Sequence, residues 1–334
     1  ANKTPDYFVK NDVVDFTDEA SSTTVNVTED VAPDVMNFNF SSPNAYTVSG
    51  IGSIVSGSLV KEGTGTVTIS TENSYTGGNY LKGGTVKVSV LANDNKATGN
   101  LGAMTTNSNL FTIENGAVLQ TTATVTNGSP IRFIGEEGGV INNSADFTQS
   151  KSFYGTVLTK KGNGWLKTYS TGSYLEKMII AGGTVQNNSG NVAKAVEFQN
   201  GTLYDNQATT NPINVPSGKT GTWYLANINS VTFSNKITGE GKLNIYCPVI
   251  SGSGWYATRT HVSCNFSEFT GTICPYAVTT ADGRFSMDTS NGPVNGTFNI
   301  PSGVIVQNTG KTFKMGQLTG TGTLGRNVEC TIHR

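Results

Sequence analysis

Short stretches of alternating apolar and polar residues recur along this chain of 334 residues. In residues 66–69 valine and isoleucine alternate with threonine, and in residues 86–90 three valines alternate with Lys87 and Ser89. Alternation with a period of two predicts β-strands that have one buried and one exposed face. Each stretch covers only about four to six residues, so no single strand buries enough apolar surface to form a core. We therefore expect many short strands that bury their apolar faces against one another.

A glycine motif precedes many of these strands. The motif consists of an apolar residue, a short and mainly polar segment, Gly-x-Gly and an alternating strand. It occurs at residues 59–70, 158–169, 237–246 and 318–326. Between them a smaller unit recurs, in which a single glycine precedes the strand. Glycine permits the positive φ of a tight turn at no steric cost. Short strands repeated about every 20 residues stack as coils, so we predict an all-β, single-stranded solenoid, a parallel β-helix of about 13 to 15 coils.

A pair of β-sandwich domains is the alternative architecture, because sandwiches also consist of short alternating strands. Sandwiches lack a phased repeat of about one coil, and they usually carry more proline than the 10 residues found here. A charged fraction of 13% argues against a coiled coil, and apolar runs of only a few residues argue against a transmembrane helix. The parallel β-helix is therefore the predicted fold.

Residues 59–88 contain three motifs in a fixed order. Lys61–Gly65 is a lysine with Gly-x-Gly, Asn73–Gly78 contains Asn-x-Tyr-Thr-Gly, and Gly83–Val86 is Gly-Gly-Thr-Val. The stretch resembles the autotransporter-associated β-strand repeat of bacterial surface proteins. Weaker copies lie at residues 158–185 and 239–273, and the copies together cover about a third of the chain. The resemblance implies a right-handed β-helix in an exported or surface-displayed bacterial protein, and it implies no enzyme activity.

Residues 1–50 lack this repeat and are rich in acidic side chains. The end of a solenoid exposes unpaired backbone and apolar core, so it needs a cap. We predict a leader and an N-terminal cap or first coils in residues 1–50, and β-helix repeats in residues 51–334. The chain stops soon after a new Gly-x-Gly strand, which indicates either a further domain or a last coil closed by Cys330 and its neighbours.

The formal net charge of −1 and the lack of a basic block argue against nucleic acid and anionic membranes as partners. The nearest approach to a basic run is Lys160-Lys161, which we expect to lie in a solvated turn. The polar N-terminal residues do not form a signal peptide. An excess of Asn, Thr and Gly over Lys and Glu favours a secreted or cell-surface location. We expect a monomer that is not inserted in a membrane and that contacts extracellular glycans or molecules on host or neighbouring cells.

All four cysteines lie in the last quarter of the chain, with no Cys-x-x-Cys pair and only two histidines in the sequence. This pattern does not predict a metal site, and nothing in the sequence indicates a cofactor. Cys247 and Cys264 are separated by about one coil. Two alternatives stay open for this pair: a disulfide between stacked coils, or two reduced and buried thiols.

A catalytic site is the weaker of two interpretations of the charged residues. By analogy of fold alone, a parallel β-helix can cleave polysaccharides along a groove. Glu268 and Asp288 are separated by one coil and are expected to meet on adjacent coils, near Arg259, His261 and Arg284. Surface charges in the variable part of a coil are more often solvated, so we predict no catalytic residue. A polysaccharide lyase or glycoside hydrolase is the alternative function.

Aromatic residues are the candidates for glycan contact, because exposed rings of Trp and Tyr stack on sugars. Where two aromatic residues are adjacent in a strand, one of them faces outward. The competing interpretation is that the rings fill wide coils, while the excess Asn and Thr form ladders between coils. The candidates are Trp165, Tyr169, Trp223, Tyr224, Trp255 and Tyr256.

The predicted function is that of a non-enzymatic exported or cell-surface β-helix. It acts as an adhesin, a glycan-binding surface or a rigid spacer. Its mechanism is multivalent weak contact along the stacked coils.

Overall fold

The computed structural model of the protein describes residues 7–169, 174–226, 232–247, 249–251, 258–259, 261–277, 284–308, 311–325 and 329–332. Side chains are described in all of these except 247, 249–251, 258–259, 261, 277, 284–286, 308 and 329–332. Within these ranges the structure has 39 β-strands and no α-helix, which confirms the all-β class. The described residues accordingly contain no apolar helix long enough to cross a membrane.

The chain forms two compact units. The boundary between them lies between Leu166 and Lys167, inside strand β18 (Trp165–Thr168). Each unit consists of stacked parallel strands, which confirms the parallel β-helix. The first unit contains the strands β1 Val13–Phe16, β2 Thr24–Asn26, β3 Val35–Asn39, β4 Ala45–Ser49, β5 Ser58–Glu62, β6 Thr66–Ile69, β7 Asn79–Leu81, β8 Thr85–Val88, β9 Thr98–Gly99, β10 Gly102–Ala103, β11 Phe111–Glu114, β12 Ala117–Thr121, β13 Val125–Asn127, β14 Ile131–Ile134, β15 Gly139–Asn143, β16 Phe147–Gln149 and β17 Phe153–Lys161.

Two long parallel ladders form the first unit. One joins β1, β3, β5, β7, β11, β14 and the start of β17, and the other joins β2, β4, β6, β8, β12, β15 and the end of β17. A shorter ladder pairs β13 with β16. In most turns the paired residues are separated by one coil of the predicted length, for example Leu59 opposite Asn79. The turn from Asn79 to Phe111 is longer because it contains the antiparallel hairpin β9–β10.

The acidic N-terminal region supplies the first strands of these ladders. Strands β1 and β2 pair in parallel with β3 and β4, and the ring of Phe16 stacks on that of Phe38 with centroids 4.2 Å apart. An apolar cavity of about 420 Å³ opens inside these coils, lined among others by Val14, Val27 and Met36. Residues 13–49 therefore pair in the same parallel way as the later coils of the unit.

The second unit repeats the arrangement with three long parallel ladders and two shorter strand pairs. Its strands are β19 Tyr174–Ile180, β20 Thr184–Asn187, β21 Ala195–Phe198, β22 Thr202–Asp205, β23 Ile213–Val215, β24 Thr220–Leu225, β25 Thr232–Phe233, β26 Lys236–Gly239, β27 Lys242–Cys247, β28 Val249–Ser251, β29 Thr258–Arg259, β30 His261–Val262, β31 Asn265–Phe269, β32 Thr272–Ala277, β33 Arg284–Met287, β34 Thr297–Ile300, β35 Ile305–Asn308, β36 Thr312–Met315, β37 Gln317–Gly320, β38 Thr323–Leu324 and β39 Glu329–Ile332.

One ladder of the second unit joins β19, β21, β23, β26 and β31, a second joins β20, β22, β24, β27, β32, β34 and β37, and a third joins β25, β30, β33, β35 and β38. The coils of this unit vary in length. Val196 pairs with Ile213 after a short coil, whereas Lys242 pairs with Thr272 after a coil that is nearly twice as long. Counted over the residues that the structure describes, the turns of the two units number about 13.

Alternate side chains of each strand fill the inside of the coils. Leu81, Ile113 and Phe133 occupy one register in three successive strands and are at most 1% exposed. Burying each such side chain stabilises the fold by roughly 1.5–3 kcal/mol. The alternation predicted for residues 66–69 is confirmed, and the alternation predicted for residues 86–90 holds as far as Val88, where β8 ends. It ends before Val90, because the side-chain oxygen of Asn100 accepts hydrogen bonds from the backbone N–H groups of Ser89 and Val90.

Two lysines lie inside the coils of the first unit. Lys61 and Lys160 are 0% exposed, and each ammonium donates to the carbonyls of the next two residues. For Lys160 these carbonyls belong to Lys161 at 2.7 Å and Gly162 at 2.9 Å. Burial lowers the pKa of each lysine to about 8. The prediction of a solvated turn is therefore wrong for Lys160, although Lys161 is exposed.

Glycine allows the chain to turn from one ladder to the next. Gly155 lies within β17, just before the strand leaves β14 and joins β15. Its φ is +98°, and an added Cβ atom would collide with the carbonyl oxygen of Phe133. Neither the backbone conformation nor the space suits a side chain, so this corner requires glycine.

Candidate functional site

Four tyrosines stand in line on the outer face of the second unit, one each on β22, β24, β27 and β32. Tyr204, Tyr224, Tyr246 and Tyr276 occupy the same register, and each is partly exposed. Their successive ring centroids are 4.7, 6.0 and 4.6 Å apart, and the rings are inclined to one another by only 15°, 12° and 10°. We call these four residues the tyrosine ladder.

Strand alternation and parallel register together produce the tyrosine ladder. The residues before the first three tyrosines, Leu203, Trp223 and Ile245, point inward and are at most 1% exposed. Each tyrosine must therefore point outward. Parallel strands lie about 4.8 Å apart, so rings at one register are at stacking distance. Such aromatic pairs contribute about 0.5–1.5 kcal/mol each beyond the area that they bury.

Small polar side chains flank the tyrosine ladder. One column contains Thr202, Thr222 and Asn244 in register, followed by the buried Cys274. A further column begins with Thr220 and Lys242 and continues to Thr272, Thr297 and Gln317. The outer face of this sheet thus combines aromatic rings with hydroxyl, amide and ammonium groups.

Burial raises the pKa of three phenols in the tyrosine ladder. Burial against neighbouring coils raises the pKa of Tyr224, and the nearby Tyr204 raises it further. Burial likewise raises the pKa of Tyr246 and of Tyr276. Phenol hydroxyl groups both donate and accept hydrogen bonds, so the ladder offers a line of bifunctional groups.

A buried carboxylate supports the inner side of the same strands. Asp205 is 0% exposed, and its two oxygens accept hydrogen bonds from the Asn187 amide at 2.6 Å, the Trp223 indole N–H at 2.7 Å and the Thr209 hydroxyl at 3.3 Å. Burial raises the pKa of Asp205 to about 6, and the three hydrogen bonds partly oppose this rise. The carboxyl group therefore ties β20, β22 and β24 together directly beneath the ladder.

Asp205 makes the stability of the protein depend on pH. Its pKa is higher in the folded protein, about 6, than the usual 3.8, so between these values the folded state holds more protons than the unfolded state. The stabilisation from this group is complete below the lower value and is lost as the pH rises through about 6. On acidification from about pH 7 to pH 4, the wild type is therefore expected to gain up to about 3 kcal/mol relative to Asp205→Asn.

Urea unfolding of both proteins at several pH values measures this difference. The other carboxyl groups titrate equally in the two proteins, so their contributions cancel. Parallel stability profiles for the wild type and Asp205→Asn would show that Asp205 titrates normally.

The aromatic residues that the sequence suggested for glycan contact differ in their exposure to solvent. Trp223 is 0% exposed and packs edge-on against Phe233, so the hypothesis that it contacts a glycan is wrong. Its neighbour Tyr224 faces outward, as the alternation of an adjacent pair requires. Tyr169 is 55% exposed and Trp165 is partly buried, and neither belongs to the tyrosine ladder. Trp255 and Tyr256 lie outside the described residues.

Three members of the tyrosine ladder were not predicted. Tyr204, Tyr246 and Tyr276 stand alone in their strands, whereas the sequence criterion favoured tryptophan and adjacent pairs. A usable signal is nevertheless present, because each tyrosine closely follows a glycine, as in Gly-Thr-Leu-Tyr at 201–204 and Gly-Lys-Leu-Asn-Ile-Tyr at 241–246.

The candidate catalytic residues are not brought together as expected. Glu268 lies opposite Thr238 in the β26–β31 pair, and its carboxylate forms an ion pair with Lys236 at 2.7 Å. Asp288 follows β33 on a different ladder, where its N–H donates to the carbonyl of Val262. The prediction that the two acids stack is wrong, because the coils here are longer than the assumed repeat. The side chains of Arg259, His261 and Arg284 lie outside the described residues.

Two alternatives were open for Cys247 and Cys264, a disulfide or two reduced thiols. Cys264 is a free, buried thiol whose sulfur lies 3.5 Å from the carbonyl oxygen of Phe233, and burial raises its pKa to about 12. Cys247 belongs to β27, where it lies opposite Ala277. The disulfide alternative is therefore wrong. Among the described residues, no group of three or more His, Cys, Asp or Glu side chains could hold a metal ion.

Comparison of the chain with protein-family models, with curated proteins and with solved structures found no match. The resemblance to the autotransporter-associated repeat depends on its three motifs alone and stays a prediction. The function is therefore argued from the geometry of the tyrosine ladder.

Proposed function

We propose that the chain is a non-enzymatic exported or cell-surface β-helix that binds extracellular glycan chains along the tyrosine ladder. The observation that carries this proposal is the in-register line of four partly exposed tyrosines on one face of the second unit. A line of like groups, one on each coil, suits a ligand that is itself a linear chain of repeating units.

The chemistry of the face matches that of a polysaccharide. Sugar rings present C–H patches and hydroxyl edges, and they are recognised by aromatic surface combined with hydrogen-bonding groups. Stacked tyrosines cover part of each other's faces, so the inner members offer mainly ring edges and hydroxyl groups. The Thr and Asn columns beside them supply further donors and acceptors. Each contact is weak, and several of them on one chain raise the overall affinity.

The alternative of a polysaccharide-degrading enzyme has less support. Glu268 is paired with Lys236 and lies on a different ladder from Asp288, so these two acids do not form a catalytic pair. The stacked coils also suit a spacer that holds the binding face away from a cell surface.

Glycan binding is tested with the full chain on a glycan array and on a panel of insoluble polysaccharides. Replacing Tyr224 and Tyr246 together by threonine removes two rings, while the β-branched side chains preserve the strands. We expect this variant to bind at least about tenfold more weakly than the wild type. The matched control, with Tyr169 and Tyr174 replaced by threonine, is expected to bind like the wild type.

Two results would contradict the proposal. One is equal binding by both double variants, and the other is that none of the glycans binds the wild type. Release of reducing ends or unsaturated sugars from the same panel would instead support the enzyme.

A further inference from the structure

We propose that the tyrosine ladder is a site of oxidative cross-linking, in which stacked phenols on adjacent coils couple to form dityrosine. The inference goes beyond glycan binding, because it concerns a covalent modification of the chain itself. Its consequence would be a set of covalent bonds between neighbouring coils of the second unit.

Ring geometry selects the pairs that would couple. Tyr204 and Tyr224 have centroids 4.7 Å apart with planes inclined by 15°, and Tyr246 and Tyr276 have centroids 4.6 Å apart with planes inclined by 10°. The middle pair, Tyr224 and Tyr246, is wider at 6.0 Å. In a close, nearly parallel stack the ring carbons beside each hydroxyl already face the neighbouring ring. Coupling then becomes an intramolecular reaction between rings that are already held together, and the two rings turn edge to edge as the ortho hydrogens leave.

The chemistry needs a one-electron oxidant, for which we name hydrogen peroxide activated by a haem peroxidase. Each of two phenols gives up one electron and one proton and becomes a phenoxyl radical. The radicals join through a carbon–carbon bond at the positions ortho to oxygen. The hydrogen displaced from each ortho carbon leaves as a proton, and the phenol O–H group is restored. In total, two electrons and two protons reduce one peroxide to two waters, and the chain loses two hydrogen atoms per cross-link.

The surroundings of the ladder favour this reaction over others. All four rings are partly exposed, so oxidation can reach them from solvent. Among the side chains that the structure describes, the oxidisable groups next to the ladder are shielded, because Trp223 is 0% and Cys274 only 2% exposed. Burial raises the pKa of Tyr224 and of Tyr246 further above the neutral pH of the reaction, so their protons are available to leave with the electrons.

The two cross-links would close loops at alternate coil junctions, on either side of the Tyr224–Tyr246 junction. One joins residues 204 and 224, and the other joins residues 246 and 276 across the long turn between β27 and β32. A covalent bond between distant residues restricts the unfolded chain and so raises stability. The cross-linked protein would therefore resist heat and proteases better than the unmodified chain.

The test oxidises the dilute full chain with peroxidase and limiting peroxide at neutral pH. We expect a monomer with dityrosine fluorescence, a mass lower by two hydrogen atoms per cross-link, and peptides joined through Tyr204–Tyr224 and Tyr246–Tyr276. The melting temperature is expected to rise by at least about 5 °C. Tyr224→Phe should halve the yield, Tyr224→Phe with Tyr276→Phe should abolish intramolecular coupling, and Tyr169→Phe should change neither. Phenylalanine keeps the stacked ring, and circular dichroism confirms that each variant is folded.

Several outcomes would overturn the inference. The first is that no dityrosine forms. The second is that the double variant Tyr224→Phe, Tyr276→Phe gives the same intramolecular yield as the wild type. The third is that the joined peptides come chiefly from the wider Tyr224–Tyr246 pair or from different molecules. Since glycan binding is measured on unoxidised protein, failure of one proposal leaves the other to its own test.

Discussion

Replacing Lys160 by glutamate is expected to lower the free energy of unfolding by about 3 to 5 kcal/mol. The Lys160 ammonium is 0% exposed and donates to the carbonyl oxygens of Lys161 and Gly162. A glutamate there would place a buried negative charge against two carbonyl oxygens whose hydrogen bonds had been lost. The same change at Lys61 should act in the same direction, since its ammonium caps the equivalent carbonyls in the preceding copy of the motif.

The neighbouring residue provides a matched control for this prediction. Lys161 is exposed, so Lys161→Glu makes the same change of charge one residue away and is expected to alter stability by no more than about 0.5 kcal/mol. Urea unfolding of the wild type and both variants at neutral pH measures the two effects. If Lys160→Glu and Lys161→Glu lowered the free energy of unfolding by similar amounts, the burial of Lys160 would not be the cause of the destabilisation.

The alternation of the strand already predicts that Lys160 points inward, but the charge of its side chain favoured the opposite prediction. Leu158 and Lys160 are two positions apart in β17, and Leu158 is buried, so alternation alone directs Lys160 inward. The expectation of a solvated lysine followed the general preference of charged groups for water. What the sequence did not show was the turn after the strand, whose carbonyls lie within reach of the ammonium.

The fold was predictable because it depends on many similar local signals. Alternation in stretches such as residues 66–69 and glycines before strands recur often enough that single exceptions do not alter the result. Contacts between particular residues depend instead on the length of one coil. Glu268 and Asp288 were paired on the assumption of a constant coil length, but a nearby coil is much longer, as the pairing of Lys242 with Thr272 shows. Insertions in surface turns change that length without disturbing the strands, so a constant period cannot pair residues on successive coils.

The tyrosine ladder likewise shows that sequence alternation does not predict which residues meet on successive coils. Alternation correctly separates the adjacent residues Trp223 and Tyr224 into one inward and one outward side chain. It does not reveal that Tyr246 and Tyr276 continue the line, because the intervening coils differ in length. Only the observed register shows that these tyrosines share a column.

Replacing Trp223 by alanine is expected to lower the free energy of unfolding by about 3 to 5 kcal/mol. The indole is fully enclosed, packs against Phe233 with ring centroids 5.4 Å apart, and donates a 2.7 Å hydrogen bond to Asp205. Its removal leaves a cavity under β22 and β24 and removes a donor from a buried carboxylate. Trp223→Phe retains most of the apolar volume but loses that hydrogen bond, so it should lower the free energy of unfolding by less than Trp223→Ala does. The destabilisation by Trp223→Phe should also decrease below about pH 6, where Asp205 becomes protonated.

Tyr224→Thr is the matched control, because it changes the next residue of the same strand on the opposite face. It removes a partly exposed ring and its stacking, so we expect a loss of about 1 kcal/mol. Urea unfolding at about pH 5 and pH 7.5 separates the three variants through both the size and the pH dependence of the loss. If Trp223→Ala were no more damaging than Tyr224→Thr, Trp223 would not be the inner anchor of these strands, and the support assigned to the tyrosine ladder would be wrong.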